Sequence, residues 1–426
     1  MVLKDKKTTI TFHAGILTIG GTVIEIAYED SHIFFDFGTE FKPELQLEDE
    51  TLKTLLEHSL VPPLENMYDE RLVGAPKHND DNPFKHTAVF LSHCHLDHTR
   101  MVNFLDPSIP MYALKETKIL VESLNAKNDF MLPKAVEDAS YTRDIIGLDN
   151  ESVVQVGAIS VKLMRVDHDA YGACGMKITT PDFTITYTGD LRLHGFDREA
   201  SIKFCEDNKD TDALIIEGVS LSFDEDTSVV SDRIMSEQDL LDRIVAQIND
   251  HPDKQMTFSC YPGNVLRIAE IVKQSPRPVV LEASFANVLK NCLGMDCFYY
   301  NIGDQRFDLK PEHELKLDDL FNDESKYFWQ VVNDFEKLKG GGVYIHSDAT
   351  PLGLFDPNYL PFIQKLEDNG VEFKRLACSG HAFPEDLDTI VDLIQPKLLI
   401  PIHSLKPERL ENNYGARHLA KRGETI

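Results

Sequence analysis

Three histidines and an aspartate follow one short apolar run. Residues 88–91 lead through a serine into a His-x-His-x-Asp-His motif formed by His93, His95, Asp97 and His98. We expect the motif to continue a β-strand, whose alternate side chains would place His93 and His95 on one side. Imidazole and carboxylate groups are ligands of Zn²⁺ and related divalent ions. The spacing therefore predicts two histidines on one metal ion and an Asp–His pair on a second, rather than a polar turn.

Further ligand-type residues stand directly after other predicted strands. His168, Asp190 and His403 each follow a run of apolar and β-branched residues. A carboxylate at the end of a strand can place one oxygen on each of two metal ions, which makes Asp190 a candidate bridge. His403 ends a buried apolar strand near the C-terminus, where packing alone gives no reason for a histidine. All three are predicted to be further metal ligands.

The elements that must position these residues alternate along the chain. Residues 9–37 read as paired strands, and the strand 213–216 ends in Glu217. From the amphipathic helix at 236–248 to about residue 294, strands and helices alternate, which predicts a parallel sheet covered by helices in a second, smaller domain. The strand 373–378 then leads the chain back to the first domain.

Composition sets the class of protein. The chain has 426 residues, enough for two domains, and no apolar run approaches the roughly 20 residues that span a bilayer. Its start lacks the apolar core of a secretory signal, and its seven cysteines show no pairing motif, so we expect a reducing cytoplasm. The net charge of -28 argues against a broadly adhesive nucleic-acid surface, but it allows an enzyme that grips phosphates locally.

The sequence resembles the β-CASP branch of the metallo-β-lactamase-fold nucleases, and within it the ribonuclease J-like proteins. The motifs that carry the resemblance are Asp36, His93-x-His95-x-Asp97-His98, Val166-Asp167-His168, Thr188-Gly189-Asp190, Glu217-Gly218, Ser379-Gly380-His381-Ala382 and Pro401-Ile402-His403-Ser404. The first histidine motif marks the wide superfamily, and the later set is more specific to the β-CASP group. The resemblance implies a metallo-β-lactamase αββα sandwich with an inserted β-CASP α/β domain. We expect the sandwich at 1–217 and 366–426, and the insertion at 218–365.

The resemblance also implies two metal ions, with Zn²⁺ as the expected metal and Mn²⁺ as the alternative. His93, His95 and His168 would hold one ion. Asp97, His98 and His403 would hold the other. Asp190 would bridge the two, and the pair of cations would lower the pKa of a shared water so that hydroxide can attack phosphorus.

Other residues receive roles from the same resemblance. The expected catalytic residues are Asp97, His381 and Glu217. His381 would contact the scissile phosphate or help to protonate the leaving oxygen, and Glu217 would bond to a ligand histidine or to His381. Asp36 would orient the metal-binding loop from behind its ligands. Ser379 and the amides around Gly380 would cradle a phosphate.

The predicted function is that of a metal-dependent phosphodiesterase acting on RNA, as an exonuclease, an endonuclease or both. One alternative is a hydrolase of small esters, lactones or thioesters, and another is a non-catalytic scaffold of an RNA-processing complex. RNA is the expected partner, no membrane attachment is expected, and a homodimer stays open. The ribonuclease J pattern continues well beyond the last histidine, whereas this chain ends soon after His403. We therefore expect a reduced contribution of that region to assembly and RNA binding.

Overall fold

The described chain divides into two compact units, each considered by itself. The computed structural model describes residues 5–40, 42, 45–78, 85–127, 130–132, 143–223, 233–354 and 356–426. Unit 1 comprises Met1–Leu193, Asp197–Glu225 and Gly380–Ile426, and unit 2 comprises His194–Phe196 and Asp226–Ser379. In the sequence, unit 2 is therefore inserted into unit 1.

Unit 1 is built on two seven-stranded sheets. In sheet order, the first contains β20 (Glu424–Thr425), β1 (Thr8–Ala14), β2 (Val23–Tyr28), β3 (Ser31–Phe35), β4 (Thr87–Phe90), β5 (Met111–Leu114) and β6 (Ile146–Leu148). The second contains β19 (Ala416–Arg417), β18 (Leu398–Pro401), β11 (Ala213–Ile216), β10 (Thr184–Tyr187), β9 (Cys174–Thr179), β8 (Ile159–Arg165) and β7 (Val153–Val156). The neighbours β3, β4, β5 and β6 run parallel, as do β10, β11 and β18, so that several strands in each sheet end at one edge.

The two sheets share one apolar core, and helices cover them. Alternate residues such as Ile10 and Phe12 of β1 are fully buried, and they pack in one cluster with Ile185 and Ile215 of the second sheet. The helices of unit 1 are α1 (Leu52–Glu57), α2 (Leu96–Thr99), α3 (Lys115–Leu124), α4 (Arg198–Asp207) and α10 (Pro384–Ile394). The helices α4 and α10 pack against the second sheet, and α3 packs on β5 and β6. This arrangement confirms the predicted αββα sandwich.

Unit 2 contains a six-stranded sheet. In sheet order its strands are β14 (Phe298–Tyr300), β13 (Val279–Glu282), β15 (Phe328–Gln330), β12 (Met256–Cys260), β16 (Val343–Ser347) and β17 (Glu372–Arg375). Its helices are α5 (Glu237–Asp250), α6 (Val265–Gln274), α7 (Ala283–Leu293), α8 (Leu317–Asn322) and α9 (Tyr359–Asp368). All neighbouring strands pair in parallel, which confirms the sheet type predicted from the β-α alternation. Trp329 and Tyr344 lie fully buried in its core.

The helices of both units are short. Among the described residues, none has the length and apolar character needed to cross a membrane.

Candidate metal centre

The histidine motif lies in a loop and a single helical turn at the end of β4. The strand β4 ends at Phe90, and α2 begins at Leu96 with His95 as its extended N-cap residue. The prediction that the strand continues through His93 and His95 is therefore wrong. The rings of His93 and His95 nevertheless lie side by side, with centroids 4.7 Å apart, because the loop brings both side chains to the same side.

Glycines allow neighbouring loops to close around this turn. The carbonyl oxygen of Asp97 accepts hydrogen bonds from the amides of Gly21 at 3.0 Å and Thr22 at 3.3 Å. A Cβ atom on Gly38 would lie 1.7 Å from that same oxygen, and one on Gly20 would lie 2.6 Å from the Asp97 Cβ. Only residues without a side chain permit this approach, so the backbone of the loop is held by sterics as well as by hydrogen bonds.

The first predicted ligand set is brought together. His93, His95, His168 and Asp190 offer ligand atoms that all lie within 4.8 Å of one another. His168 Nε2 is 3.2 Å from His95 Nδ1. Two nitrogens at Zn–N distances of about 2.0–2.1 Å in tetrahedral geometry lie about 3.3 Å apart. The observed separation therefore fits two ligands of one ion.

The second set lies beside the first, and Asp190 stands between them. Asp97, His98 and His403 also offer ligand atoms within 4.8 Å of one another. Asp190 Oδ2 is 3.2 Å from His98 Nε2, 3.6 Å from His93 Nε2 and 3.9 Å from His403 Nε2. One carboxylate oxygen thus faces imidazoles of both sets, the position expected of a bridging ligand.

Several of these buried atoms lack hydrogen bonds. Within the described part of the chain, no hydrogen-bond partner is found for the Nε2 atoms of His93, His98 and His403 or for Asp190 Oδ2. Buried polar atoms are nearly always satisfied, because leaving one unpaired costs free energy. Converging imidazole and carboxylate atoms without partners are the donor set that a divalent cation completes, so the residues fit a metal site.

The opposite nitrogen of each of four histidines is held by an oxygen. The Nδ1 contacts are His93 to Ser92 Oγ at 2.9 Å, His98 to Asp36 Oδ2 at 2.9 Å, His168 to the Gly380 carbonyl at 2.6 Å and His403 to Thr22 Oγ1 at 3.5 Å. A proton on Nδ1 that is donated to an oxygen leaves the Nε2 lone pair free. These contacts therefore orient four imidazoles towards the shared space.

Asp36 lies behind the loop that carries the histidine motif. Its carboxylate accepts from the Ser92 amide and hydroxyl, from His98 Nδ1 and from the Tyr187 hydroxyl at 2.6 Å. All four residues are buried. Sequence reasoning missed Ser92 and Tyr187, because a serine beside a ligand and a tyrosine in an apolar strand carry no distinctive spacing.

His381 and Glu217 adjoin the second set. His381 Nδ1 lies 3.4 Å from Glu217 Oε1 and 3.8 Å from Asp190 Oδ2. Glu217 also accepts from the amides of Ala382 and Val219, which anchors its carboxylate at the end of β11. The structure therefore brings Glu217 and His381 together.

The Ser379-Gly380 pair presents its backbone carbonyls to histidines. The Ser379 carbonyl accepts from His194 Nε2 at 2.9 Å within unit 2, and the Gly380 carbonyl accepts from His168 in unit 1. The two histidine side chains therefore hold the backbone at Ser379 and Gly380 in place. The predicted cradling of a phosphate by the Gly380 amides stays a prediction.

Burial and neighbouring charges shift the pKa values of the centre. Burial lowers the pKa of His93 well below its usual range, lowers that of His168 to about 3 and also lowers that of His403. Burial would raise the pKa of Asp190, but the imidazoles of His403 and His98 outweigh it and hold that pKa well below its usual range. Burial would also lower the pKa of His98, but the carboxylates of Asp190, Asp97 and Asp36 outweigh it and raise that pKa well above its usual range. The neutral form is therefore favoured for His93, His168 and His403, and a neutral imidazole beside an ionised carboxylate can bind a cation.

The pKa of His381 moves the other way. Burial alone would lower it, but the carboxylates of Glu217 and Asp190 outweigh burial and raise the pKa to about 10. The carboxylates of Glu217 and Asp190 therefore favour the protonated form of His381.

Two acidic residues that flank His168 were not singled out from the sequence. Asp167 is buried and pairs with the buried Arg192, whose guanidinium also reaches the His168 carbonyl. Asp169 Oδ1 lies 3.2 Å from His168 Nε2. The run Asp167-His168-Asp169 was visible, but only the fold shows that each carboxylate faces a different partner.

Known proteins of the same fold extend this description. The family model of the beta-lactamase superfamily domain matches residues 60–256. A crystal structure of a protein of unknown function from Enterococcus faecalis V583 is 53% identical, with a TM-score of 0.95, and the alignment covers 99% of both chains. Ribonuclease J of Mycoplasma genitalium is 23% identical over 93% of this chain and 68% of its own length. Ribonuclease J 2 of Streptococcus pyogenes serotype M3 is 24% identical over 76% of this chain and 60% of its own length.

The sandwich, the histidine motif and the matching family model make this chain a protein of the metallo-β-lactamase fold. It belongs to one family with the Enterococcus faecalis protein. The chain is also similar to ribonuclease J over most of its length.

Proposed function

We propose that this protein is a metal-dependent ribonuclease that hydrolyses phosphodiester bonds of RNA. The observation that carries the proposal is the pair of ligand sets joined at Asp190, since two adjacent cation sites are typical of enzymes that hydrolyse phosphodiesters. The relatives named ribonuclease J support RNA as the substrate and do not favour a small ester, lactone or thioester.

Different residues of the centre would hold the metal ions and orient the loop. His93, His95 and His168 would hold one divalent ion, and the remaining set, with Asp97, would hold the other. When bound, two such ions supply an activated water and neutralise charge on the phosphate oxygens. Asp190 would keep the two sites at a fixed separation. Asp36 would orient the loop through Ser92 and His98.

His381 would contact the scissile phosphate or the leaving oxygen. Its ring lies beside Asp190 and Glu217, and its centroid is 5.7 Å from that of His403. A cationic imidazole at this place can donate a hydrogen bond to a phosphate oxygen. Glu217 would hold the ring through Nδ1, which leaves Nε2 to face the substrate.

The proposal extends to the metal, the second unit and the location of the protein. Zn²⁺ is the proposed metal and Mn²⁺ the alternative, because the donors are imidazoles and carboxylates. Unit 2 is proposed to be the β-CASP domain that the sequence resemblance implies, and Gly380 to bind a phosphate near His381. The seven cysteines are all free thiols, which supports a cytoplasmic location. A homodimer stays a hypothesis.

The direct test compares His95→Ala with the native chain on end-labelled, 5′-monophosphorylated RNA. We expect Zn²⁺- or Mn²⁺-dependent cleavage by the native protein and its abolition in the variant, because one ligand of the first set is lost. His58→Ala, which changes an exposed histidine next to α1, is the matched control and should cleave normally.

A panel of ester, lactone and thioester substrates is assayed with the same metal-loaded preparations. Cleavage of RNA by His95→Ala at the native rate would refute the site. Hydrolysis confined to the ester panel would refute the substrate.

A further inference from the structure

The carboxylate of Asp169 lies beside the first ligand set. Asp169 Oδ1 is 3.2 Å from His168 Nε2 and 3.5 Å from His95 Nε2, and only 13% of the side chain is exposed. Among the described residues this oxygen has no hydrogen-bond partner. A buried carboxylate oxygen without a partner is costly, so its position next to two histidines calls for a physical reason.

The ring of His95 is turned differently from those of the other ligands. His95 presents Nδ1 to His168 Nε2, whereas His93, His98, His168 and His403 each use Nδ1 for an oxygen. The remaining nitrogen of His95, Nε2, faces Asp169. A metal-binding histidine usually donates its second N–H to a carboxylate, a carbonyl or a water. Asp169 stands where that acceptor belongs.

Gly380 leaves the space that Asp169 occupies. A Cβ atom on Gly380 would lie 2.4 Å from both Cγ and Oδ1 of Asp169. The carbonyl of the same glycine accepts from His168 Nδ1. Gly380 therefore contacts the first ligand set in two ways, through a hydrogen bond to His168 and through the absence of a side chain against Asp169.

We propose that Asp169 is a positioning residue of the metal centre, whose carboxylate accepts the Nε2 proton of His95 in the metal-bound protein and so directs Nδ1 to the metal ion. The absence of a side chain at Gly380 keeps Asp169 in place. This inference rests on the proposed metal-dependent function, because it assigns a supporting role within the same centre.

The first experiment measures Zn²⁺ affinity by competition with a chromophoric chelator, and records the visible spectrum of the Co²⁺-loaded protein. Full-length Asp169→Ala, Asp169→Asn and the control Asp149→Ala are compared with the native chain; Asp149 is an exposed carboxylate paired with Lys115. Asp169→Ala should weaken Zn²⁺ binding about 10- to 100-fold and shift the Co²⁺ bands. Asp169→Asn keeps an oxygen acceptor and should lose clearly less.

Native affinity and an unchanged Co²⁺ spectrum in Asp169→Ala would overturn the inference. Equal losses in the Ala and Asn variants would also overturn it, because they would mean that the charge matters and not the acceptor. The nearly isosteric Asn variant keeps the test decisive if the Ala variant folds poorly.

A second experiment uses Gly380→Ala. Alone, it should weaken Zn²⁺ binding by displacing Asp169, but in the Asp169→Ala background it should add little, so the two effects are not additive. Full additivity would overturn the steric link.

All of these readouts are independent of RNA. If the native chain binds metal in this pattern but cleaves no RNA, the inference stands and the proposed function falls.

Discussion

Hydrogen bonds between Nδ1 and an oxygen orient four of the imidazoles of the centre. Asp36 is the clearest case, because one carboxylate bonds Ser92, His98 and Tyr187. Its backbone lies in the left-handed region with φ +61°, where the turn after β3 aims the carboxylate at the histidine loop. Through these hydrogen bonds Asp36 holds the loop that carries the histidine motif.

Tyr187→Phe tests this support. Removing the hydroxyl deletes a buried hydrogen bond to a carboxylate, so the free energy of unfolding should fall by about 1.5–3 kcal/mol. Urea denaturation of the chelator-treated protein measures this change. Zn²⁺ affinity should fall as well, because His98 shares the same carboxylate.

Tyr112→Phe is the matched control. The Tyr112 ring stacks on Phe90 with centroids 5.2 Å apart, and this contact survives the loss of the hydroxyl. Unchanged stability and unchanged Zn²⁺ affinity in Tyr187→Phe would contradict the assigned role of Asp36.

At the scale of elements, the ends of parallel strands converge on the centre. His93 follows β4, Asp190 follows β10, and His403 follows β18. Parallel strands that end at one edge of a sheet bring residues distant in the sequence together. The single turn of α2 then adds Asp97 and His98.

The outer positions of β1, β2 and β3 carry a second polar cluster that serves stability. Glu25 accepts from His13 Nε2 at 2.8 Å and from His32 Nδ1 at 2.7 Å. Burial would raise the pKa of Glu25, but the hydrogen bonds from both histidines outweigh it and lower the pKa from 4.5 to about 2. One carboxylate thus links three neighbouring strands.

Glu25→Gln should change how the free energy of unfolding depends on pH at acidic pH. Because the pKa of Glu25 is lower in the folded state, its contribution is complete above about pH 4.5 and is lost as the pH falls towards 2. The variant should be less stable near neutrality and should show a shallower decline of unfolding free energy between these pH values. Denaturant titrations at several pH values measure this slope.

Glu29→Gln, at an exposed carboxylate paired with Lys7, should follow the native curve. If the Glu25 variant keeps the native slope across the same interval, the histidine contacts do not stabilise the ionised carboxylate.

At the scale of the whole molecule, a net charge of -28 constrains how the proposed RNA substrate would be bound. Such a chain repels a polyanion over most of its surface, so attraction must come from the centre and a few local cations. Non-specific RNA binding should therefore be weak, and few counterions should be released.

The prediction concerns the salt dependence of RNA binding by a variant that cannot cleave, Asp190→Ala. Fluorescence anisotropy between 50 and 200 mM KCl should give a plot of log K against log salt with a slope no steeper than about -2, which corresponds to about three phosphate contacts on a single strand. A slope steeper than about -5 would reveal an extensive basic surface and contradict this interpretation.

The sequence alone identified the candidate ligand residues, their order and the apolar strands that precede them. His-x-His-x-Asp-His is a local pattern, and the polar residues that follow apolar strands can be identified from the sequence alone. The parallel sheet of unit 2 followed from the alternation of strands and helices, which reflects burial of one face of each helix. The αββα sandwich followed from the resemblance to the metallo-β-lactamase-fold nucleases. The roles of the predicted site residues and the domain bounds at 217 and 365 stay predictions.

Only the tertiary structure decided which atoms face each other. It replaced the expected strand at His93 and His95 with a loop, because the Ser92 amide bonds the Asp36 side chain and not a neighbouring strand. It also revealed the contact of Tyr187 with Asp36, which is distant in the sequence, and the position of Asp169 beside one particular ring nitrogen of His95. Contacts of this kind depend on backbone direction and on side-chain rotation after packing, and no spacing rule in a single chain encodes them.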